Sequence, residues 1–263
     1  MKLRKTILLI GIFIVELSPA SALTFGYKGL ISVWLFDNFE RSSDTQLGGR
    51  FIPEFSLGQQ VSDSFSVDAE LSLNAYGIAE FPSSKDIQTE AEIKPYRFWL
   101  RLSTSRFEAR LGLQKINFGS ASLLRPLMWF DSLDPRDPLQ LTDGVYGLLV
   151  RYYFQSNANI WAWGLYGNER AKGWESVATA KDTAEFGGRV QIPLWSGELA
   201  MTYHRRQFDL VPGTEAPTPL PGERIPETRI GLDGKWDLGI GLWFEGTLTN
   251  QETDALPQPW QGA

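Results

Sequence analysis

Charged side chains of both signs recur at every second position in several segments of the chain. Between residues 97 and 110 this spacing places Arg97, Arg101, Glu108 and Arg110 on one side and apolar residues on the other. A period of two is that of a β-strand, whose successive side chains point to opposite faces. Around a water-filled interior, such charges would set up a field that orients and filters polar solutes. They could equally satisfy one another and stiffen a wall, and both roles remain open.

The longest segment without this period, residues 117–143, mixes apolar, proline and charged residues. Its apolar side chains, among them Leu127, Trp129 and Phe130, require burial, and structureless loops of this length are usually functional. We expect the loop to fold inward and to line the narrowest passage with its charges. A lid outside the barrel or a short helix on the rim is the alternative. The candidate constriction and lumen residues are Arg125, Asp131, Asp134, Arg136 and Asp137 from the loop, and Arg97, Arg101, Glu108, Arg110 and Glu70 from the strands.

The sequence offers little for catalysis or cofactor binding. It has no cysteine and a single histidine, His204, without a nucleophile motif around it, so we expect no metal site, no cofactor and no enzymatic activity. A net charge of −6 makes the chain a poor ligand for nucleic acid.

Period-two segments recur along the whole chain and predict about eleven strands. In residues 65–77, for example, Phe65, Val67 and Ala69 alternate with polar residues. The predicted strands are 24–37, 50–60, 65–78, 94–103, 106–117, 144–155, 159–167, 183–193, 197–208, 227–236 and 239–250. Several are about ten residues long, the length that a tilted strand needs to cross a bilayer.

The connections between these segments alternate between short and long. Tight turns at 61–64, 104–105, 155–158, 194–196 and 237–238 alternate with long loops at 38–49, 79–93, 117–143, 168–182 and 209–226. This order is typical of up-and-down outer-membrane barrels. A secreted soluble sandwich with Greek-key crossings has no reason to keep it. We therefore predict an all-β, transmembrane, up-and-down antiparallel β-barrel that exposes apolar residues to outer-membrane lipid.

Two predicted strands are apolar on both faces. They are GVYGLLVRYYF, beginning at residue 144, and NIWAWGLYG, beginning at residue 159. Either they are backed by an inward-folded loop, or their aromatic residues belong to the girdle at a membrane interface. The sequence does not separate the two explanations.

The N-terminal residues 1–22 have the pattern of a secretory signal peptide. A basic start is followed by an apolar run and by Ala20-Ser21-Ala22, an A-x-A cleavage site. The apolar run is too short to span a bilayer comfortably. We expect cleavage after Ala22, at the site that Ala20 and Ala22 define, followed by export and residence of residues 23–263 in the bacterial outer membrane.

An odd strand count is unusual for a single-chain bacterial barrel. Either the count is wrong by one, or the chain is an incomplete part of a larger barrel, which is the explanation we favour. An open wall would leave unpaired backbone groups in lipid. The barrel assembly machinery, which recognises a terminal strand, is an expected partner, and a homo-oligomer is compatible with the sequence.

A long loop after the fifth strand resembles the constriction loop of general porins of Gram-negative bacteria. The run RLGLQKINFG…LRPLMWFDSLDPRDP, residues 110–138, is also similar to a pattern in alginate-export-like and related outer-membrane barrels. Gly112, Gln114 and Gly119 match that pattern, whereas Leu113 and Phe118 stand where Arg and Trp are expected. The resemblance implies a barrel with a passage or export role and leaves its solute open.

The sequence thus favours a porin-like channel for passive passage of small polar solutes, narrowed by loop 117–143. The alternative is a plugged structural or adhesive barrel that binds partners through its long loops. An outer-membrane hydrolase is a third and weaker candidate, because His204 has no evident catalytic partner in the sequence.

Overall fold

The computed structural model describes residues 23–38, 44–81, 86–121, 125–131, 139, 141–209 and 224–252. They form eleven antiparallel strands in a single sheet, ordered β1 to β11 as in the sequence. The strands are β1 Leu23–Asn38, β2 Asp44–Ser62, β3 Phe65–Phe81, β4 Gln88–Thr104, β5 Phe107–Gln114, β6 Val145–Tyr153, β7 Asn159–Tyr166, β8 Ala184–Leu194, β9 Gly197–Asp209, β10 Arg224–Asp237 and β11 Gly241–Gln251. Within these ranges no helix is long and apolar enough to cross a membrane.

The predicted all-β, up-and-down antiparallel fold is confirmed. Each predicted strand is found, and each pairs with its neighbours in sequence. Among the described residues no ladder joins β1 to β11. The connections at 63–64, 105–106, 154–158, 195–196 and 238–240 join strands at one end of the sheet. At the other end the strands are joined by segments 39–43, 82–87, 115–144, 167–183 and 210–223, so the predicted long loops at 38–49 and 79–93 are shorter than expected. The signal-peptide residues Ala20 and Ala22 lie outside the described residues, so cleavage stays a prediction.

Strands β1 to β4 are longer than the sequence pattern indicated, with 16, 19, 17 and 17 residues. The extra length of β4 continues past an irregularity in its pairing with β3. Ser72 pairs with Arg97 and Leu73 pairs with Pro95, so that Tyr96 is left as the extra residue. A bulge of this kind reverses which residues face inward. The strict alternation counted from Arg97 therefore breaks at Tyr96, inside the predicted strand 94–103, and the observed strand begins six residues earlier, at Gln88.

The sheet has one polar face and one apolar face. In β3, Ser72 and Asn74 are buried while Leu71 and Leu73 are exposed. The same division continues in β8 to β10, where the inward residues include the buried charges Glu185, Arg189, Arg206, Glu227, Arg229 and Asp233. We call the polar side the inner face and the apolar side the outer face. Exposed apolar residues on the outer face include Phe98, Leu111, Phe186, Met201 and Leu248.

The hydrophobic core lies on the inner face and not between two sheets. Val145 and Leu149 of β6 and Trp163 and Leu165 of β7 are buried against a cluster contributed by the loop after β5. Of the two explanations for the apolar pattern in β6 and β7, the structure favours a backing loop. The outer face of the same strands carries other residues, such as Tyr146 and Tyr166, which are exposed.

Candidate functional site

The described part of the loop after β5 packs against the inner face of the sheet. Ile116, Phe118, Leu127, Trp129 and Phe130 are all buried in the cluster with β6 and β7. The ring of Phe118 stacks on Trp163 with centroids 5.6 Å apart, and it meets Trp129 and Phe130 edge-on. Burial of these side chains supplies the free energy that holds the loop inward, since aromatic residues bury large areas.

Contacts with β11 and β10 fix where the loop lies. The Glu245 carboxylate accepts the backbone N–H of Ala121 at 2.8 Å and that of Leu127 at 2.6 Å. Gly119 has φ +96° and lies so close to Glu245 that a Cβ there would come within 2.5 Å of Oε2. Leu127 packs over Gly231 of β10, where any side chain would collide with it. Glycine at these two positions therefore permits the loop to approach the sheet closely.

The predicted constriction residues within the described range form one ion pair. Arg125 Nη1 lies 3.2 Å from Asp131 Oδ2, and Asp131 is nearly buried while Arg125 is partly exposed. Arg125 also donates to Asn117 Oδ1. Asp134, Arg136 and Asp137 lie outside the described residues, so their place at a constriction stays a prediction.

The predicted strand charges lie on the inner face, mostly in pairs. Arg101 bonds Asp68 at 3.0 Å, and Arg110 bonds Glu108 at 2.9 Å. The guanidinium of Arg110 also lies over the ring of Trp99, 4.7 Å from its centroid. These pairs are partly exposed and lie on β3 to β5.

Two further predicted residues have different surroundings. Arg97 is buried and donates to the backbone carbonyls of Thr142 and Asp143, at 3.0 and 3.1 Å. It therefore anchors the chain where the long loop returns to β6, and its guanidinium does not line an open passage. Glu70 is half-buried on β3, where it pairs in register with Trp99 of β4. The predicted strand residues and the Arg125–Asp131 pair thus belong to separate groups.

The most extensive group of buried charges was not among the predicted site residues. Three cations and three carboxylates form a chain of ion pairs, with two members from the connection after β7 and four from the inner faces of β8 to β10. They are Lys172, Arg206, Arg229, Glu175, Glu185 and Glu227. We call this set the six-charge network. Its side chains are at most 7% exposed, and its formal charges sum to zero. Buried charges of this kind are tolerated only when they are paired and hydrogen-bonded.

His204 adjoins the six-charge network and is fully buried. Its Nδ1 accepts a hydrogen bond from the indole N–H of Trp163 at 3.2 Å, and its Nε2 lies 3.1 Å from Glu185 Oε2. Because Nδ1 acts as an acceptor, the proton is on Nε2 and is donated to the carboxylate. The ring of Phe130 covers the imidazole edge-on at 5.0 Å. His204 therefore joins the network to the aromatic cluster.

Glu175 is the carboxylate of the network that lies in a connection between strands, the one that also carries Lys172. Burial raises the pKa of Glu175 above its ordinary value of 4.5, against the opposing effect of Lys172, Arg206 and Arg229. By contrast Glu227 accepts hydrogen bonds from Arg206, Arg229 and Gln251. The two carboxylates thus differ in how strongly their surroundings require a negative charge.

Replacing Glu175 by Gln is expected to lower the free energy of unfolding less than Glu227→Gln, which is expected to lower it by about 3 kcal/mol. Because the pKa of Glu175 is raised in the folded chain, this residue stabilises the wild-type fold fully below pH 4.5, its ordinary pKa. The stabilisation is lost as pH rises through the higher folded-state pKa. Glu175→Gln should remove this dependence. Denaturant titrations of the two variants between pH 4 and 8 measure both effects. A larger loss for Glu175→Gln than for Glu227→Gln would contradict the assignment.

A cavity of about 420 Å³ opens beside the network. Its lining includes two tryptophans, Trp129 from the loop after β5 and Trp174 from the connection after β7. The other lining residues are polar: Glu175, Arg206, Glu227 and Arg229 of the network, and Thr247, Thr249 and Gln251 of β11. Trp174 is 63% exposed, yet its indole N–H donates to the carbonyl of Arg125 at 2.8 Å. The ring is therefore held in place while its surface stays accessible.

The sequence did not single out Trp174, Lys172 and Glu175, because their segment was predicted only as a long polar loop. A lone tryptophan in the run AKGWES was the available signal, since such a side chain needs a packing partner. Nothing in the sequence pattern of β11 shows that Glu245 binds the backbone of the loop after β5.

By its fold the protein is an all-β protein with one up-and-down antiparallel sheet, and its site consists of buried charges on one face of that sheet. No family model matches the chain, and no curated protein matches it. Its structure is similar to that of OmpT, an outer membrane protein of Vibrio cholerae solved in trimer form, with 13% sequence identity and a TM-score of 0.37 over 89% of this chain and 79% of that one.

Proposed function

We propose that this chain is an outer-membrane β-barrel protein that allows passive diffusion of small polar solutes, with the loop after β5 narrowing the passage. The observation that carries this proposal is the two-faced sheet. Its outer face exposes apolar side chains along successive strands, while its inner face concentrates charged and polar ones. Such a division is expected where lipid lies on one side and water on the other.

The distribution of exposed aromatic residues supports the membrane location. Phe107, Tyr152, Phe154 and Trp195 lie near the short-turn end of the sheet. Phe81, Tyr146 and Tyr166 lie near the end with the longer connections. Aromatic girdles at both interfaces are typical of membrane barrels, because the ring tolerates the boundary between lipid and water.

The inward loop and its Arg125–Asp131 pair support a narrowed passage rather than a wide one. A solute moving along the inner face would meet partly exposed charges of both signs on β3 to β5 and then the loop. This arrangement suits small polar solutes, which can exchange hydrogen bonds with the wall. A plugged structural or adhesive barrel is the second candidate, favoured by the hydrophobic cluster that the loop builds on the inner face.

Deleting residues 120–138 distinguishes the two candidates. In planar bilayers the refolded wild-type chain is expected to give small conductance steps, and the deletion is expected to enlarge them because it removes the narrowing segment. A plugged adhesive barrel should lose binding to its partner without conducting in the wild-type form. Insertion of the wild-type chain into the bilayer without any ionic current would refute the channel proposal.

The proposal includes no enzymatic activity. Both ring nitrogens of His204 are engaged, and the ring is fully buried, so it has no access to a substrate. Hydrolysis of lipid substrates by the purified wild-type chain, lost in His204→Ala, would overturn this part of the proposal.

A further inference from the structure

The cavity beside the six-charge network combines an accessible aromatic surface with a polar floor. Trp174 is 63% exposed, and the hydrogen bond from its indole N–H to Arg125 prevents the ring from turning away. Across the cavity, Arg206, Glu227 and Arg229 present planar guanidinium and carboxylate groups. The volume of about 420 Å³ lies within the range of small-molecule sites.

The charge balance of the cavity selects the kind of ligand. Each cation in the lining is already paired with a carboxylate, Arg206 with Glu227 at 2.6 Å and Arg229 with Glu175 at 3.2 Å. An anionic or cationic ligand would add an unbalanced charge to a buried set whose formal charges already cancel. A neutral ligand can instead share hydrogen bonds with groups whose capacity is not exhausted, since a guanidinium has five N–H donors and a carboxylate about four acceptor sites.

The hydroxyl groups on β11 extend the polar floor. Thr247 and Thr249 lie two residues apart on the inner face, and the Gln251 amide donates to Glu227 at 2.7 Å. The lining therefore combines hydrogen-bond donors and acceptors with the indole of Trp174. A pyranose ring has the matching chemistry, because its C–H face is apolar and its rim carries hydroxyl groups that both donate and accept.

We propose that this cavity, lined by Trp174, Arg206, Glu227, Arg229 and Gln251, is a binding subsite for neutral saccharides. The subsite deepens the proposed channel function and rests on it for its physiological meaning. Its ligand stacks on Trp174 and forms hydrogen bonds with the polar floor. The channel would therefore pass sugars more readily than its charged wall alone implies.

A saccharide titration with matched variants tests the subsite. The refolded full chain in detergent micelles is titrated with maltotriose, and binding is followed by saturation-transfer NMR, which needs no conducting pore. Trp174→Ala is expected to weaken maltotriose binding about ten-fold, the size of one lost aromatic contact. Trp174→Phe should retain more of the affinity. The matched control is Trp195→Ala, which removes an 87% exposed tryptophan on the turn between β8 and β9, outside the cavity, and should leave affinity unchanged.

Each outcome has a defined meaning. Absence of maltotriose binding to the wild-type chain, or equal losses in Trp174→Ala and Trp195→Ala, would overturn the subsite. Tighter binding of trigalacturonate, which has three sugar rings but is anionic, would overturn its neutral selectivity. Ionic conductance in bilayers without maltotriose binding would refute the subsite and leave the channel intact. Binding without conductance would support the subsite and refute the channel.

Discussion

Asp233→Ala is expected to lower the free energy of unfolding by about 4 kcal/mol, the cost of removing one partner from a buried ion pair. Asp233 on β10 binds Arg189 on β8 in a two-pronged contact, Nη1 to Oδ1 at 2.5 Å and Nη2 to Oδ2 at 2.9 Å. Both side chains are at most 5% exposed. The substitution would leave the Arg189 guanidinium buried without its carboxylate, next to the Thr202 hydroxyl, which accepts a hydrogen bond from Nη1 at 2.9 Å. Denaturant titration in micelles, followed by tryptophan fluorescence, measures the loss.

The control for this prediction is Glu198→Ala, which breaks the pair between Glu198 on β9 and Lys235, on the same strand β10 as Asp233. Their side chains are 34% and 62% exposed and 3.2 Å apart. An exposed pair contributes only about 0–1 kcal/mol, because water screens both charges. If Asp233→Ala and Glu198→Ala lowered the free energy of unfolding equally, water would screen the Asp233–Arg189 pair as fully as the exposed pair. That result would contradict the prediction.

Phe130→Ala is expected to release the loop after β5 from the inner face. The ring lies among Phe118, Trp163 and His204, at centroid distances of 5.8, 5.5 and 5.0 Å. Truncating a buried phenylalanine leaves a cavity and costs roughly 3–5 kcal/mol. Because the Phe130 ring belongs to the loop and packs against the inner face, the loss should fall mainly on the docking of the loop. We expect proteolysis within residues 117–143 to become at least ten-fold faster while the strands stay folded.

The matched control for Phe130→Ala is Phe186→Ala on β8. Phe186 is 53% exposed on the outer face, so its removal leaves the loop cluster untouched. Proteolysis of the loop should proceed at the wild-type rate in that variant. An unchanged rate in Phe130→Ala would show that Glu245 and the backbone contacts hold the loop without the aromatic cluster.

The division between the two faces of the sheet was predictable from the sequence, because it depends on a period of two that each strand carries within itself. The residues Leu71 and Leu73 face outward, and Ser72 and Asn74 face inward, as their alternation requires. The same local pattern predicted all eleven strands. It failed at Tyr96, since a bulge arises from the pairing of two strands and leaves little trace in either one.

The pairings across the inner face were not predictable in the same way. Arg110 and Glu108 are two residues apart on one strand, so their contact follows from the strand geometry. Arg189 and Asp233 are separated by a whole strand, and Glu185 meets Lys172 only because a connection folds back over the sheet. A sequence pattern indicates which face of the sheet a side chain occupies, but not which residue it contacts there.

The sequence alone determined the architecture of this protein, since strand period, alternating loop lengths and the placement of charges are local properties of the chain. The tertiary structure decided where the loop after β5 lies, that Glu245 binds its backbone, and that Trp174 stands over a charge-balanced cavity. These features depend on contacts between residues more than 40 positions apart. Such contacts are selected by packing and by the need to pair buried charges, and only the folded chain brings them together.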